Sequence, residues 1–233
     1  MISFQMKRPC FDNVDAILID LDNTLFDTAK NKLENMKRFA NLEGDGWTEE
    51  KQAAFSMEQR KLFRQLRDEE ILLEDFLLAR GAAFCKAFSI PKSDEEGMAM
   101  VHASIRQSMD LLPGAAEAVK KLAALKKPLC LASNGVYENQ RGRLEEAGLL
   151  SYFTRLFVSD SMGSIKPSAR FYQHTLDELG VEPSRVLMIG DAKTDDILGA
   201  KAVGIRTCYI MGDPNKEIPP EADYYVLGPA DLI

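Results

Sequence analysis

Positive charge is what this 233-residue chain has too little of: 29 Lys and Arg face 36 Asp and Glu, a formal net charge of −7. General binding to a nucleic-acid polymer or to an acidic membrane surface needs clustered positive charge, so both are excluded as its main role. Cysteine is scarce as well. The four, Cys10, Cys85, Cys130 and Cys208, stand far apart and form no CxxC pair, which argues against a zinc knuckle or a disulfide framework and for a reducing cytoplasmic setting. Cys130 and Cys208 lie inside the apolar runs "PLCLAS" and "TCYIM" and are expected to act as small buried hydrophobes. No stretch approaches the ~20 apolar residues of a membrane span. The N-terminal "MISFQMKRPCFD" also lacks the apolar segment of a secretion signal. Only two histidines occur, His102 and His174, both in predicted helices away from the motifs described below and expected at the surface or in packing. Internal repeats and low-complexity tracts are missing too.

What is present is enough to bury a core. At 45% hydrophobic content, the length fits one large domain or a domain carrying an insertion. "AILIDLDNTLFDT" (16–28) reads as a central strand that ends on carboxylates. From about Thr28 to Asp110 the chain turns to Lys, Glu, Arg, Gln, Leu and Phe with hardly a β-branched run. That composition predicts roughly four helices, broken at "EGDGWT", "RDEE" and "IPKSDEEG". Thr48 and either Ser93 or Asp94 are the expected N-caps. Beyond "LLPGAAEAVKKLAALKK", short apolar strands ("PLCLAS", "LFVSD", "VLMIGD", "TCYIM", "YYVLG") alternate with helical segments, including "YENQRGRLEEAG", "SARFYQHTLDELG" and "TDDILGAKAVG". This pattern predicts an α/β fold with a doubly wound parallel sheet covered on both faces, and a helical bundle inserted after its first strand. The expected division is 1–27 with 111–233 for the α/β core and 28–110 for the bundle.

Ligands of such a sheet bind at the C-terminal ends of the strands, where this sequence collects polar residues: Asp20, Ser133 with Asn134, Asp160 and Asp191. Clustered carboxylates repel unless protonated or bridged by a cation. An all-oxygen set of Asp20, Asp191 and either Asp195 or Asp196 suits Mg²⁺, which shares its remaining positions with water and phosphate. Lys166 adds positive charge, while Ser133 and the backbone N–H groups at the start of the next helix can grip phosphate oxygens. Asn134 is expected to act through its backbone N–H. Asp20 is the candidate nucleophile, forming an aspartyl-phosphate. Asp22 is the candidate for moving protons, provided the chain turns sharply after the strand.

Together and in order, "DLDNTLFD" (Asp20, Asp22, Thr24), "LASNG" (Ser133), "IKP" (Lys166) and "IGDAKTDDILGA" (Asp191, Asp196) resemble the four motifs of the haloacid dehalogenase superfamily. The resemblance implies a Rossmann-like core with an α-helical cap. It also implies Asp20 as nucleophile and Asp22 as general acid/base. Mg²⁺ would be held by Asp20, the backbone carbonyl of Asp22 and Asp191, with Asp196 in the second acidic slot of the last motif. Thr24, Ser133, Asn134 and Lys166 then become the phosphate-binding set. "QRGRLEEAGLLSYF" and "VLMIGDAKTDDILGAKAVGIRTCYI" are similar to the branch with pyrimidine 5′-nucleotidases and N-acylneuraminate-9-phosphate phosphatases. The dehalogenases lack the second aspartate of the first motif, so Asp22 favours phosphate-ester hydrolysis. The expectation is a cytoplasmic, Mg²⁺-dependent phosphatase, monomeric or homodimeric, acting on a small nucleotide or sugar phosphate. A phosphomutase is the alternative within enzymes and a non-catalytic regulatory member the alternative outside them. Arg60, Phe63, Arg64 and Arg67 of the bundle could face a substrate, though a bundle core with a charged outer face explains them as well.

Overall fold

Ala16, Ile17, Leu18 and Ile19 are all withdrawn from water, as a strand buried on both faces requires. A computed structural model describes residues 5–233; the first four residues of the N-terminal stretch considered above lie outside them. In chain order the elements are β1 (Ala16–Ile19), α1 (Thr28–Glu43), α2 (Glu49–Arg67), α3 (Leu73–Ala87), α4 (Asp94–Arg106), α5 (Ala115–Ala124) and β2 (Leu129–Ser133). There follow α6 (Tyr137–Glu146), β3 (Arg155–Val158), the single turn α7 (Ser159–Met162), α8 (Ala169–Leu179), β4 (Val186–Gly190), α9 (Gly199–Ala202), β5 (Arg206–Ile210) and β6 (Tyr224–Val226). The chain divides into two compact units, residues 1–27 with 110–233 and residues 28–109.

The first unit is built on a six-stranded sheet in the order β3-β2-β1-β4-β5-β6, every neighbouring pair parallel. Alternation along each strand sorts the apolar residues by face. Ala16, Leu18, Cys130, Ala132, Val186 and Met188 form one cluster with Phe171, Tyr172 and Leu176 of α8 and Ala200 of α9. Ile17, Ile19, Leu129, Leu131, Leu187 and Ile189 point the other way and are just as buried. Fully burying side chains of this size contributes about 1.5–3 kcal/mol each. Cys130 and Cys208 are in this interior, and burial pushes the Cys130 thiol up to about 11. The strand order reverses at β1, the topological switch point at which open α/β sheets bind ligands. Asp20 continues the ladder one residue past β1, its N–H donating to Ile189 O at 2.9 Å.

The second unit is a four-helix arrangement around Met36, Ala40, Phe55, Phe84, Cys85, Phe88, Ile90, Met100 and Val101. Thr48 Oγ1 accepts from Lys51 N–H and caps α2. At α4 the cap is Ser93: its Oγ accepts from Glu96 N–H at 3.3 Å and Glu96 returns a bond to Ser93 N–H at 2.9 Å, a reciprocal capping box. α3 and α4 touch backbone to backbone where Gly81 faces Met98; a Cβ there would lie 2.1 Å from Met98 N.

Two expectations need correction. "TDDILGAKAVG" is not one α-helix: residues Lys193–Leu198 form a π-helical turn before α9, a form often found at functional sites. The strand in "LFVSD" stops at Val158, so Asp160 does not join the polar strand ends. It is exposed in α7, where its Oδ2 accepts from Tyr137 N–H at 2.8 Å and satisfies one of the open donors of the first turn of α6.

Candidate active site

Beyond Asp20 the chain doubles back at once. Leu25 and Phe26 N–H both donate to Leu21 O, and Asn23 N–H donates to Phe26 O. Asn23 takes a φ of +62°, a left-handed conformation that Asn tolerates better than most residues. The sharp turn keeps Asp22 and Thr24 within reach of the β1 end. Thr24 Oγ1 lies 3.4 Å from Asp191 Oδ1.

The centre of the site is Lys166, 2% exposed. Its Nζ donates to Asp20 Oδ1 at 2.7 Å, Asp196 Oδ1 at 2.6 Å and Ala132 O at 2.7 Å, which uses all three ammonium protons. Its backbone is fixed by Asn134, whose Oδ1 accepts from Lys166 N–H while its Nδ2 donates to Lys166 O, both at 2.7 Å. The Asn134 side chain is therefore engaged in holding Lys166, leaving only its backbone N–H for a phosphate. Tyr137 N–H, at the start of α6, is likewise taken by Asp160.

Oxygens of Asp20, Asp191 and Asp196 lie within 4.8 Å of one another. Asp196 has both oxygens engaged, one by Lys166 and the other by Ala192 N–H at 2.9 Å. It offers a cation its charge more than an open oxygen. Gly190 makes its approach possible, since a Cβ at that position would stand 2.1 Å from Asp196 Oδ2. Asp195 turns elsewhere: its backbone O accepts from Tyr172 OH at 2.6 Å, and its Oδ2 lies 3.5 Å from Asn134 Nδ2. Of the two neighbours, it is Asp196 that joins the cluster.

Three carboxylates around one ammonium leave an excess of negative charge in a buried site. Burial pushes the Asp20 carboxyl well above its usual range; Lys166 opposes this, and the charges of Asp196, Asp191 and Asp22 add to it. Asp191 is pushed up to about 7, by burial first and Asp196 second, against Lys166 and Lys216. Burial also raises Asp196 against the pull of Lys166. Burial alone would lower the Lys166 pKa, but Asp196 and Asp20 outweigh it and keep the ammonium charged. The cluster must therefore hold protons or accept a cation, and its all-oxygen donors fit a hard divalent ion.

Two further residues complete the network, and the sequence reading assigned neither a role. Gln140 and Arg143 of α6 connect Ser133 to Asp22: Gln140 Nε2 donates to both at 2.8 Å, and Arg143 Nη1 donates to Asp22 Oδ1 at 2.6 Å. The signal was available. With Leu144 they occupy i, i+3 and i+4 of a short helix, the spacing of a buried face, where two long polar residues call for a partner. Phe63, by contrast, is engaged within the second unit, its ring 4.7 Å from that of Phe76, with the Arg67 guanidinium 5.9 Å from its centroid.

The haloacid dehalogenase-like hydrolase family matches residues 14–204. The chain is similar to the pyrimidine 5′-nucleotidase PynA of Streptococcus pneumoniae, 27% identical over 197 residues that cover 83% of this chain and 82% of that one. Among solved structures it resembles the HAD-hydrolase YfnB of Bacillus subtilis bound to magnesium, with a TM-score of 0.79, 22% identity and 96% of each chain covered. It also resembles the L-2-haloacid dehalogenase of Xanthobacter autotrophicus, with a TM-score of 0.74, 19% identity, and 94% of this chain and 96% of that one covered. At those identities the structural likeness speaks for the fold alone. The family match runs from ahead of Asp20 to beyond Asp196 and takes in every residue of the network, so the chain belongs to the haloacid dehalogenase-like hydrolases.

Proposed function

We propose that this hydrolase is a Mg²⁺-dependent phosphatase of small phosphate monoesters that works through a phosphoryl group carried on Asp20. The observation that carries the reading is the Lys166 ammonium bridging Asp20 and Asp196 at 2.7 and 2.6 Å with Asp191 alongside. That arrangement compensates charge around a carboxylate nucleophile and leaves a deficit of positive charge where a phosphate and its cation would sit.

In the first step an Asp20 oxygen attacks phosphorus, the bond to the ester oxygen breaks, and its electron pair leaves with the alcohol as Asp22 delivers a proton. In the second step water attacks the phosphorus of the aspartyl-phosphate and passes a proton to Asp22. The Asp20 oxygen departs with the bonding pair, and inorganic phosphate is released. Lys166 offsets the charge on Asp20 and on the transferred group throughout. Ser133, Thr24 and the Asn134 backbone N–H are the groups proposed to hold the phosphoryl oxygens. Asp20, Asp191 and the Asp22 backbone carbonyl would hold Mg²⁺, with Asp196 adding charge, and the bound ion would neutralise phosphate oxygens.

Asp22 favours this reading over carbon–halogen cleavage, because departing halide needs no proton. The relative named as a pyrimidine 5′-nucleotidase makes pyrimidine nucleoside monophosphates the first substrates to try, ahead of sugar phosphates. We assign residues 28–109 the role of a helical cap domain. A reducing cytoplasm suits the four free cysteines, and among the described residues no helix is long and apolar enough to cross a membrane.

The test is phosphate release from nucleoside and sugar monophosphates by the wild type and Asp20→Asn, with Mg²⁺ and with chelator. Release that requires both the metal and Asp20 is expected. Turnover that survives either loss overturns the reading.

A further inference from the structure

Gln140 and Arg143 are 1% and 0% exposed, and two such polar side chains are costly in an interior unless their donors find acceptors. The acceptors here are two of the proposed site residues. Gln140 Nε2 divides its two protons between Asp22 Oδ2 and Ser133 Oγ, each at 2.8 Å. Gln140 Oε1 accepts from Arg143 Nη1 at 3.0 Å, and the same nitrogen reaches Asp22 Oδ1 at 2.6 Å. Each oxygen of Asp22 thus has its own donor, which fixes the plane of the carboxylate as well as its distance. The Arg143 guanidinium is held in turn over Phe26, 4.5 Å from the ring centroid. Phe26 belongs to the same turn that carries Asp22, so both ends of the contact are anchored. Room for the amide comes from Gly135, where a Cβ would lie 2.4 Å from Gln140 Nε2.

We propose that Gln140 and Arg143 are positioning residues that lock Asp22 and Ser133 into one mutual orientation, so that the proton carrier and a phosphate-holding hydroxyl are presented as a unit. This rests on the phosphatase reading above. The Ser133 arm of the lock serves every ester, whereas the Asp22 arm is selective: it adds to the loss only where the leaving group needs a proton. A residue that only supported the fold would affect every substrate alike.

The experiment compares benzyl phosphate with p-nitrophenyl phosphate in saturating Mg²⁺. The two esters are close in size, but a benzyl alkoxide must be protonated as it leaves and a p-nitrophenolate need not be. kcat/KM ends at departure of the alcohol and is blind to hydrolysis of the aspartyl-phosphate. Two variants are measured. Gln140→Leu keeps the volume and removes the hydrogen bonds, whereas Gly135→Ala pushes the amide aside without deleting any of its groups. For each, kcat/KM should fall roughly 10²-fold further on benzyl phosphate than on p-nitrophenyl phosphate, the lower value usual for general-acid catalysis setting the scale. Equal losses on the two esters, with or without a lower melting temperature, would overturn the proposal while leaving the phosphatase reading intact. A wild-type protein that hydrolyses neither ester, nor any monophosphate of the wider panel, overturns that reading and this inference with it.

Discussion

Lys166 Nζ stands 2.7 Å from Asp20 Oδ1 with both side chains withdrawn from solvent. Breaking a buried pair by removing one partner leaves the other charge uncompensated, which costs roughly 3–5 kcal/mol. Lys166→Met should therefore be much less stable than the wild type in chelator. Added Mg²⁺ should restore part of the loss by replacing the missing positive charge. Turnover should drop by about 10²–10³-fold, as for loss of one electrostatic group in other active sites. Melting curves with and without Mg²⁺, alongside initial rates, check both halves, and a Lys166→Met protein as stable as the wild type in chelator would count against the charge argument.

The reverse is expected at Asp20. Its ionised form is disfavoured by burial and by three neighbouring carboxylates, so Asp20→Asn removes a strained charge. The variant should be inactive yet more stable than the wild type without metal. A gain of about 1 kcal/mol corresponds to roughly 2–4 °C for a chain of this size. Differential scanning calorimetry in chelator at pH 8 measures it. A lower melting temperature for Asp20→Asn would show that the Lys166 contact outweighs the repulsion.

Asp191, raised together with Asp20 and Asp196, contributes to the pH dependence. Its carboxyl is raised from 3.8 to about 7 in the fold, so between those values the folded protein binds a proton that the unfolded chain has released. The slope of stability against pH is then negative. The metal-free protein should lose stability as pH rises from about 4 to about 7, at up to roughly 1.4 kcal/mol per unit for each such proton. Saturating Mg²⁺ competes with that proton and should flatten or reverse the trend. Urea midpoints at pH 5 and pH 8, in chelator and in Mg²⁺, distinguish the two cases. Mg²⁺ titrations in buffers of differing ionisation enthalpy should also show proton release at pH 6.

The cluster of Asp20, Lys166, Asp191 and Asp196 is legible in the sequence because its residue types are improbable where they stand. A carboxylate closing a fully apolar strand, as Asp20 does, has few structural explanations, and the alternation of strands and helices identifies the edge on which it lies. Gln140 and Arg143 were not assigned because their meaning depends on which neighbours α6 meets, and periodicity alone does not name those neighbours. Asp160 was misread for a related reason. The end of a strand is set by where ladder partners stop, and β3 pairs with β2 only as far as Val158. The π-helical turn at Lys193–Leu198 escaped because helical composition does not separate one hydrogen-bond register from another. There the contact of Asp196 with Lys166 and Ala192, absent from any local propensity, accompanies the wider turn.

Ser93→Ala tests the second unit by itself. The capping box satisfies a donor at the start of α4 and another at the cap, and its loss should cost about 1 kcal/mol. Chemical denaturation reads the effect. With the phosphatase site assigned to the first unit, kcat on p-nitrophenyl phosphate should stay within about twofold of the wild type, the range in which changes away from a site usually fall.

Gly190→Ala probes the tightest approach in the site. The new Cβ would stand 2.1 Å from Asp196 Oδ2 and 2.4 Å from its Cγ, closer than any such contact tolerates. β4 is held by ladders on both sides, so the carboxylate must yield. Moving it strains two bonds at once, to Lys166 Nζ and to Ala192 N–H, and leaves Asp20 as the one carboxylate of the cluster still bonded to the ammonium. The overpacking alone should cost roughly 1–3 kcal/mol, and disruption of the buried charge cluster should add to it. Activity should fall more than stability predicts, because a lysine drawn toward Asp20 neutralises the carboxylate proposed as nucleophile. Asp196→Asn in the same background relieves the charge but not the clash, so it should recover little stability, whereas Asp196→Ala, which removes the two closest atoms and leaves only the Cβ at 2.7 Å, should recover more. Equal stability of the two double variants would mean that the clash with the Asp196 side chain is not what destabilises Gly190→Ala.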